Sequence, residues 1–281
     1  MSLTDGYQMN NGLTIPKVGF GTWQSKDDEA KQSVLWALEA GYRHIDTAQG
    51  YQNEEEVGEA IKESGVPREE IFLTTKLHNK KHGYDNTLEA LNESLRKLDT
   101  DYIDLVLIHW PNPKYFRDNW KEANAQSWKA MEEFVAKGKI KSLGVSNFLP
   151  HHLDALLETA NITPAVNQIL LNPSEMQPDV VKYNEAHDII SEAYSPLGTG
   201  KIFDIEELKG LAEKYDKTIA QLVLRWSLQH NFLPLPKTVT KERVWENADI
   251  FDFTIADEDI KTIDGLTGRA GSATNPDTIT F

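Results

Sequence analysis

Residues 43–54 have the sequence Arg-His-Ile-Asp-Thr-Ala-Gln-Gly-Tyr-Gln-Asn-Glu. The first four residues include bulky and β-branched side chains, which favour an extended strand. Gly41 ends a helical pattern before them, and Asn53 is typical of the start of a new helix. The stretch therefore predicts a strand, a loop and a helix, with Asp46 at the end of the strand and Tyr51 in the loop.

The same alternation of strand and helix repeats along the chain. Strands are predicted at 18–23, 43–46, 71–75, 103–108, 140–145, 165–169, 189–193 and 232–235. Helices are predicted at 28–40, 54–63, 85–98, 120–137, 151–159, 206–215, 218–230 and 257–266. Several strands are almost wholly apolar, as is typical of strands covered on both faces. Eight strand–helix units in 281 residues predict an α/β protein, a (β/α)8 TIM barrel, with residues 1–281 as a single domain.

An open doubly wound sheet is the alternative fold. That fold favours Gly-x-Gly-x-x-Gly after its first strand, whereas residues 19–24 read Gly-Phe-Gly-Thr-Trp-Gln and have no third glycine. Residues 6–15 predict an N-terminal β-hairpin that turns at Asn11-Gly12. Residues 267–281 predict a short, irregular C-terminal tail.

Composition excludes several classes of function. The formal net charge of −15, from 29 basic and 44 acidic residues, disfavours nucleic acid and anionic membranes as partners. The chain has no cysteine, so a disulfide, a thiol nucleophile and a Cys-ligated metal are excluded. The polar N-terminus has no signal-peptide pattern, and no apolar run has the length of a membrane span. We expect a soluble cytoplasmic protein, monomeric by default, without a metal.

In a barrel, the carboxyl ends of the strands meet at one mouth, where active sites lie. Asp46 and Tyr51 follow the second predicted strand, Lys76 ends the third and His109 ends the fourth. Taken singly, such residues are more often a helix cap, a solvated cation or a satisfied polar group. Their convergence at one mouth makes them candidate catalytic residues.

These four residue types together suit the reduction of a carbonyl group. A nearby Lys76 ammonium is expected to lower the pKa of Tyr51 from its ordinary value of about 10. Asp46 would keep Lys76 charged and in place, and His109 would orient the substrate oxygen. Tyr51 would then donate a proton to an oxygen that becomes an alkoxide. The hydride must come from a nicotinamide cofactor, since no side chain supplies one.

Residues at the remaining strand ends are suited to holding that cofactor. Ser146, Asn147 and the pair Asn167-Gln168 offer hydroxyl and amide groups for a carboxamide, and Tyr194 offers a ring for stacking. Residues 236–243 read Pro-Lys-Thr-Val-Thr-Lys-Glu-Arg and lead into a helix, whose N-terminal amides favour phosphate. This concentration of positive charge predicts the 2′-phosphate of NADPH/NADP+ rather than NAD.

Five segments of the chain together resemble the aldo-keto reductase family. They are Gly-Tyr-Arg-His-Ile-Asp-Thr-Ala-Gln-Gly-Tyr-Gln-Asn-Glu at 41–54, Thr-Lys at 75–76, His-Trp-Pro at 109–111, Gly-Val-Ser-Asn-Phe at 144–148 and Pro-Lys-Thr-Val-Thr at 236–240, the last with Arg243 and Glu246-Asn247. The similarity covers nearly the whole chain. It is greatest to the compact bacterial branch that includes glyoxal/methylglyoxal and 2,5-diketo-D-gluconate reductases.

The resemblance implies a barrel whose base is closed by the N-terminal hairpin, and a set of site residues. The catalytic residues would be Asp46, Tyr51, Lys76 and His109, with Tyr51 as the proton donor. The cofactor-binding residues would be Gly21, Thr22, Trp23, Ser146, Asn147, Gln168, Tyr194, Ser195, Leu197, Lys237, Thr238, Val239, Arg243 and Asn247. The substrate pocket would be lined by Trp23, Tyr51, His109 and Trp110. Residues 198–201 would fold over the pyrophosphate.

One segment departs from the family pattern. After Asn167-Gln168 the family often continues with a glutamate and then His-Pro, whereas residues 169–173 read Ile-Leu-Leu-Asn-Pro. The sequence predicts an NADPH-dependent reductase of aldehydes, ketones and reactive dicarbonyls. Two alternatives remain open: an NADPH-binding sensor or regulatory barrel with little turnover, and a phosphate-binding barrel lyase or isomerase that uses no nicotinamide.

Overall fold

Eight parallel strands form one curved sheet in the computed structural model, which describes residues 2–281. The strands are β3 (Phe20–Gly21), β4 (His44–Asp46), β5 (Phe72–Leu77), β6 (Ile103–Ile108), β7 (Ile140–Ser146), β8 (Val166–Leu170), β9 (Ile190–Tyr194) and β10 (Leu233–Pro234). Each strand pairs with the next one along the chain. Gly19 N donates to Pro234 O at 3.1 Å and Gly21 N to Pro236 O at 3.0 Å, so β3 meets β10 and the sheet closes.

Ten helices surround this sheet within residues 2–281. They are α1 (Asp27–Glu39), α2 (Glu54–Glu63), α3 (Tyr84–Lys97), α4 (Trp120–Ala136), α5 (Pro150–Leu157), α6 (Pro178–Ala186), α7 (Glu206–Lys214), α8 (Ile219–Gln229), α9 (Lys241–Ala248) and α10 (Asp257–Asp264). Every residue of β5 and of β6 is buried, because helices cover the outer face of these strands and side chains fill the barrel. The predicted (β/α)8 fold is confirmed. None of the helices described is long and apolar enough to cross a bilayer.

The hairpin of β1 (Gly6–Gln8) and β2 (Thr14–Pro16) covers the end of the barrel at which the strands begin. Asn10 Nδ2 donates to Pro164 O at 2.9 Å, just before β8, and Asn11 Nδ2 donates to Ser142 Oγ at 2.8 Å in β7. Met9 and Ile15 pack in a cluster with buried residues of the barrel strands. The hairpin therefore closes the base, as predicted, and leaves the opposite mouth for the site.

The first and last barrel strands are shorter than predicted. Only Phe20–Gly21 of 18–23 and Leu233–Pro234 of 232–235 are strand. Proline has no N–H, so Pro234 and Pro236 cannot donate to a neighbouring strand. The tail after Leu266 contains no helix or strand, apart from one isolated bridge between Arg269 and Gly271.

Candidate active site

Lys76 joins two of the predicted catalytic residues directly. Its ammonium donates to Asp46 Oδ1 at 2.6 Å, to Thr47 O at 2.9 Å and to Tyr51 Oη at 3.2 Å. These three bonds use all the hydrogens of the Lys76 ammonium. Lys76 has no solvent-exposed surface, so these bonds are made in a dry environment where they are strong. Lys76 thus mediates between Asp46 and Tyr51.

The loop after β4 fixes the position of Tyr51. The loop forms a short 3₁₀ turn at Gln49–Tyr51, and Gln52 then takes a left-handed φ of 57°. Asn53 Oδ1 accepts from Thr47 Oγ1 at 2.6 Å, and Asn53 Nδ2 donates to Thr22 O at 2.9 Å. Gln49 Oε1 accepts from the backbone N–H of His78 at 2.8 Å. The loop is therefore tied to the strands on both sides, which keeps the Tyr51 hydroxyl at the mouth.

The expected lowering of the pKa of Tyr51 is wrong for the free protein. Burial raises the pKa of Tyr51, and the Lys76 ammonium offsets only part of that rise, while the negative charge of Asp46 adds to it. For Lys76, burial acts to lower the pKa, but the attraction of Asp46 and Tyr51 outweighs burial and raises it. The site consequently holds a neutral phenol beside a charged ammonium at neutral pH, which is the state of a proton donor.

His109 is a neutral imidazole beside that phenol. Burial, followed by the positive charge of Lys76, lowers its pKa well below the ordinary value. The ring packs edge-on to Tyr51, with 5.8 Å between ring centroids. Asn147 Nδ2 donates to the backbone carbonyl of His109 at 3.1 Å. A neutral imidazole in this place can donate one hydrogen bond to a substrate oxygen without adding charge.

These residues open into a cavity of about 1320 Å³ at the mouth of the barrel. Single-ligand sites span roughly 300–1,000 Å³, so this cavity has room for a long ligand and a small one together. Among the predicted site residues, the cavity is lined by Gly21, Trp23, Asp46, Tyr51, His109, Trp110, Ser146, Asn147, Gln168, Tyr194, Ser195, Leu197, Lys237, Thr238, Arg243 and Asn247. Trp23 is 47 % exposed at its rim.

Four residues that the sequence analysis assigned to the site are absent from the cavity lining. Lys76 is beneath Tyr51, and Val239 is outside the lining. Thr22 is fully buried and donates through Oγ1 to Asp46 O at 2.9 Å, so it supports the strand end. Asn167 faces away from the mouth, where it donates to Phe148 O at 2.9 Å, because neighbouring residues of a strand point to opposite faces.

One part of the cavity lining offers groups that fit a dinucleotide phosphate. Lys201, Lys237 and Arg243 line it, and α9 begins there at Lys241, so helix N–H groups lie close to the cations. Burial lowers the pKa of Lys237, and Glu29 works against this shift. In the segment 198–201, Thr199 has a left-handed φ of 52° and Gly200 a φ of 92°, which gives this wall an irregular loop.

Hydrogen bonds hold several polar groups of the cavity lining in place. Tyr194 Oη donates to Asn147 Oδ1 at 2.9 Å, and Asn147 Nδ2 lies 3.2 Å from Ser146 Oγ. Ser146 Oγ donates to Gln168 O at 2.8 Å. Gln168 Nε2 points into the barrel and donates to Asp46 Oδ2 at 2.8 Å. Amides and hydroxyls beside a tyrosine ring match the donor and acceptor set of a nicotinamide carboxamide.

Two parts of the site escaped the sequence analysis. Glu192 is fully buried in β9 and bonded to Gln168; the signal was a carboxylate inside the otherwise uncharged strand 189–193. The second is the tail, whose last residue Phe281 packs edge-on to Trp110 with 5.3 Å between centroids and lines the cavity. No pattern within 267–281 indicated where that segment would dock.

The tail is held by a cluster of His151, His152 and Asp277. His152 Nε2 donates to Asp277 Oδ1 at 2.8 Å, and His151 Nε2 lies 3.1 Å from Oδ2. Leu149 N donates to His152 Nδ1 at 3.1 Å, so the neutral ring carries its proton on Nε2. A metal on that nitrogen would need the proton on Nδ1, against the Leu149 N–H. The bonding therefore favours a hydrogen-bonded clasp.

Comparison with known proteins agrees with this fold. The chain belongs to the Aldo/keto reductase family, whose model matches residues 17–267. It is 44% identical over 281 residues to glyoxal reductase of Bacillus subtilis (strain 168), covering 100% of this chain and 99% of that protein. It is 43% identical to methylglyoxal reductase DkgA of Escherichia coli (strain K12), covering 96% of each.

A solved structure shows the same fold with a cofactor present. The aldo-keto reductase of Bombyx mori in complex with NADP has a TM-score of 0.86 and is 38% identical, with 94% of this chain and 93% of that one covered.

Proposed function

We propose that this protein reduces aldehydes and ketones, with reactive dicarbonyls such as methylglyoxal or keto-sugars as substrates, using NADPH and with Tyr51 as the proton donor. The observation that carries the proposal is the Lys76 ammonium, bonded at once to Asp46 and Tyr51 below a cavity of about 1320 Å³. The glyoxal and methylglyoxal reductases among its relatives support the substrate class.

The residues of the cavity fit NADPH. Ser146, Asn147 and Gln168 would hold the carboxamide, Tyr194 would stack on the ring, and the cations Lys237 and Arg243 would face the 2′-phosphate. Bound there, NADPH supplies a hydride for the carbonyl carbon. Complexes with NADP in related structures support this assignment.

The residues of the chain handle the proton. The neutral Tyr51 hydroxyl donates to the carbonyl oxygen as it becomes an alkoxide, and His109 donates a second hydrogen bond to the same oxygen. As Tyr51 loses its proton, Lys76 stabilises the phenolate at 3.2 Å. Because Asp46 keeps Lys76 charged, the cation that stabilises the phenolate is in place before the reaction begins.

Substitution of Tyr51 by Phe tests the proposal. Because general acid catalysis contributes roughly 100- to 10,000-fold, Tyr51→Phe should lower kcat with methylglyoxal by that order while leaving the Kd of NADPH unchanged. NADPH fluorescence measures the Kd, and NADPH absorbance measures turnover on a panel of carbonyl compounds. Undiminished turnover would remove Tyr51 from its role. Tight NADPH binding by the unaltered protein without turnover on any member of the panel would instead match a sensor.

A further inference from the structure

Glu192 is a carboxyl group at the centre of the barrel that the proposed chemistry does not use. It has no exposed surface and stands beside Gln168 in the register of β8 and β9. Its Oε2 accepts from Gln168 Nε2 at 2.7 Å, and the same Nε2 donates to Asp46 Oδ2 at 2.8 Å. The amide nitrogen of Gln168 therefore donates both of its hydrogens, one to each of two acidic side chains.

These two hydrogen bonds fix the orientation of the Gln168 amide. A flipped amide would turn its carbonyl oxygen towards the Asp46 carboxylate, which lies in a buried ion pair with Lys76 at 2.6 Å. With Nε2 held inside the barrel, Oε1 is the group that Gln168 has left to offer the cavity. That carbonyl oxygen can accept a hydrogen bond from the N–H₂ of a nicotinamide carboxamide.

The charges around Glu192 favour its neutral form. The titratable groups that face it are Asp46 and His44 from β4, Lys76 from β5, and Tyr51 from the following loop. Lys76 is already paired with Asp46, and His44 Nε2 lies 3.6 Å from Glu192 Oε1. Burial and then Lys76 lower the pKa of His44 to about 3, so His44 brings no charge. A second buried carboxylate would lack a cation of its own.

We propose that Glu192 is a positioning residue, which as a neutral carboxylic acid holds the Gln168 amide so that its carbonyl oxygen receives the nicotinamide carboxamide. The inference rests on the proposed use of NADPH. Burial, and then the negative charge of Asp46, raise the pKa of Glu192 to about 8, which agrees with a neutral acid in the working range of pH. Above that pH, Glu192 carries a negative charge while bonded to Gln168, the residue that would hold the nicotinamide carboxamide.

The oxidised ring of NADP+ carries a positive charge and the ring of NADPH does not, so ionised Glu192 distinguishes them. We expect the ratio Kd(NADP+)/Kd(NADPH) to fall about tenfold between pH 6.5 and about pH 9, by Coulomb attraction in a buried site. Titration of the 2′-phosphate cancels in this ratio because both cofactors carry it. Kd values from fluorescence titration need no turnover.

Two variants separate the charge from the hydrogen bond. Glu192→Gln keeps an acceptor for Gln168 and has no proton to lose, so its Kd for NADPH at pH 6.5 should match the unaltered protein and its Kd ratio should not change with pH. Glu192→Leu removes the acceptor at similar size and should raise the Kd of NADPH about tenfold, the factor expected for one hydrogen bond. Thermal unfolding shows whether each variant is folded.

The outcomes decide between a positioning and a merely structural role. A pH-independent ratio in the unaltered protein, or an equal fall in Glu192→Gln, would overturn the proposal even if Glu192→Leu does not fold. Unchanged NADPH binding by a folded Glu192→Leu would also overturn it. A Kd ratio that behaves as expected, in a protein that reduces no carbonyl compound, would support the role of Glu192 and reject the proposed reaction.

Discussion

Lys76 Nζ donates to the Tyr51 hydroxyl across 3.2 Å and lies 4.8 Å from the centre of the same ring. The ammonium thus contacts the phenol both at its oxygen and over its face. Burial still raises the pKa of Tyr51, so the contact with Lys76 does not produce a phenolate in the free protein. The contact places the positive charge of Lys76 beside the Tyr51 oxygen before Tyr51 gives up its proton.

Replacement of Lys76 by Met should therefore reduce kcat about as strongly as Tyr51→Phe, by roughly 100- to 10,000-fold. The pKa of Tyr51 should rise further, since the ammonium is the largest influence that lowers it. The double variant should be no slower than either single variant, because the two residues act as a unit. Steady-state kinetics with methylglyoxal measures all three.

Loss of stability must be separated from loss of catalysis in Lys76→Met. The substitution leaves Asp46 buried without its cation, which costs about 3–5 kcal/mol when one partner of a buried pair is removed. Urea unfolding measures this cost, and exposed Lys139→Met serves as the control that should change neither kcat nor stability. Fully additive losses in the double variant would contradict the joint role of Lys76 and Tyr51.

Much of the fold was predictable because local signals agreed with the final packing. The strand Ile103–Ile108 and the helix Glu54–Glu63 have the predicted bounds, since apolar runs and helix-start residues act over a few positions. The convergence of Asp46 and Lys76 followed from the barrel, which places strand ends together.

Other features depend on distances that no short pattern contains. The pKa of Tyr51 rises because the effect of burial exceeds the effect of the Lys76 ammonium. How deeply the Tyr51 ring is buried is known only from the folded protein. Glu192 became part of the site only when β8 and β9 were placed in register. The docking of Phe281 on Trp110 joins residues 171 positions apart across an irregular tail, so periodicity carried no signal.

The positive groups near α9 should determine cofactor preference. Arg243→Ala should raise the Kd of NADPH by about 10- to 100-fold, because a charge-assisted hydrogen bond to phosphate is lost. The Kd of NADH, which has no 2′-phosphate, should be unchanged. Lys241→Ala is the matched control, since Lys241 is in the same helix and outside the cavity lining, over the ring of Trp245 at 5.5 Å. Equal losses for NADPH and NADH would contradict the role of Arg243.

The clasp on the tail should affect substrate binding more than cofactor binding. Asp277 accepts from Asn112 Nδ2 at 2.9 Å and from His152 Nε2 at 2.8 Å. Although burial acts to raise the pKa of Asp277, these bonds lower it, so the carboxylate stays charged. Asp277→Ala should free Phe281 from Trp110 and raise KM for an aromatic aldehyde severalfold, with the Kd of NADPH unchanged.

Kinetics with an aromatic aldehyde and with methylglyoxal distinguish loss of a pocket wall from general damage. The larger substrate should lose more, because Phe281 and Trp110 lie at the rim of the cavity. Exposed Asp101→Ala, before β6 at the base of the barrel, is the control. Equal changes in KM for both substrates would show that the tail does not shape the pocket.

Two glycines in helices should respond to alanine in opposite ways. A Cβ on Gly58 in α2 would lie 2.6 Å from the backbone oxygen of Leu98, so Gly58→Ala must push α2 away from the end of α3. In α7, a Cβ on Gly210 meets nothing within 4 Å. Gly210→Ala should stabilise by about 0.5–1 kcal/mol through helix propensity, whereas Gly58→Ala should destabilise by about 1–3 kcal/mol. Urea unfolding of both variants checks this, and the same sign for both would refute the close approach at Gly58.

The buried ring of His82 should make the protein sensitive to acid. His82 stacks on Phe116, with 5.3 Å between centroids, and burial lowers its pKa to about 4. Between pH 4 and the ordinary pKa of about 6.5, His82 is protonated in the unfolded chain and neutral in the folded protein. The stability linked to neutral His82 is therefore complete above pH 6.5 and is lost as the pH falls towards 4.

His82→Leu removes this titration while it keeps an apolar contact with Phe116. The packing change alters the free energy of unfolding equally at every pH, so the difference between two pH values isolates the proton. Relative to the unaltered protein, the variant should gain about 2 kcal/mol on going from about pH 7.5 to about pH 5, since each pH unit is worth about 1.4 kcal/mol. Urea unfolding at both pH values measures the gain. A difference between the proteins that is the same at both would mean that the ring takes up its proton as readily folded as unfolded.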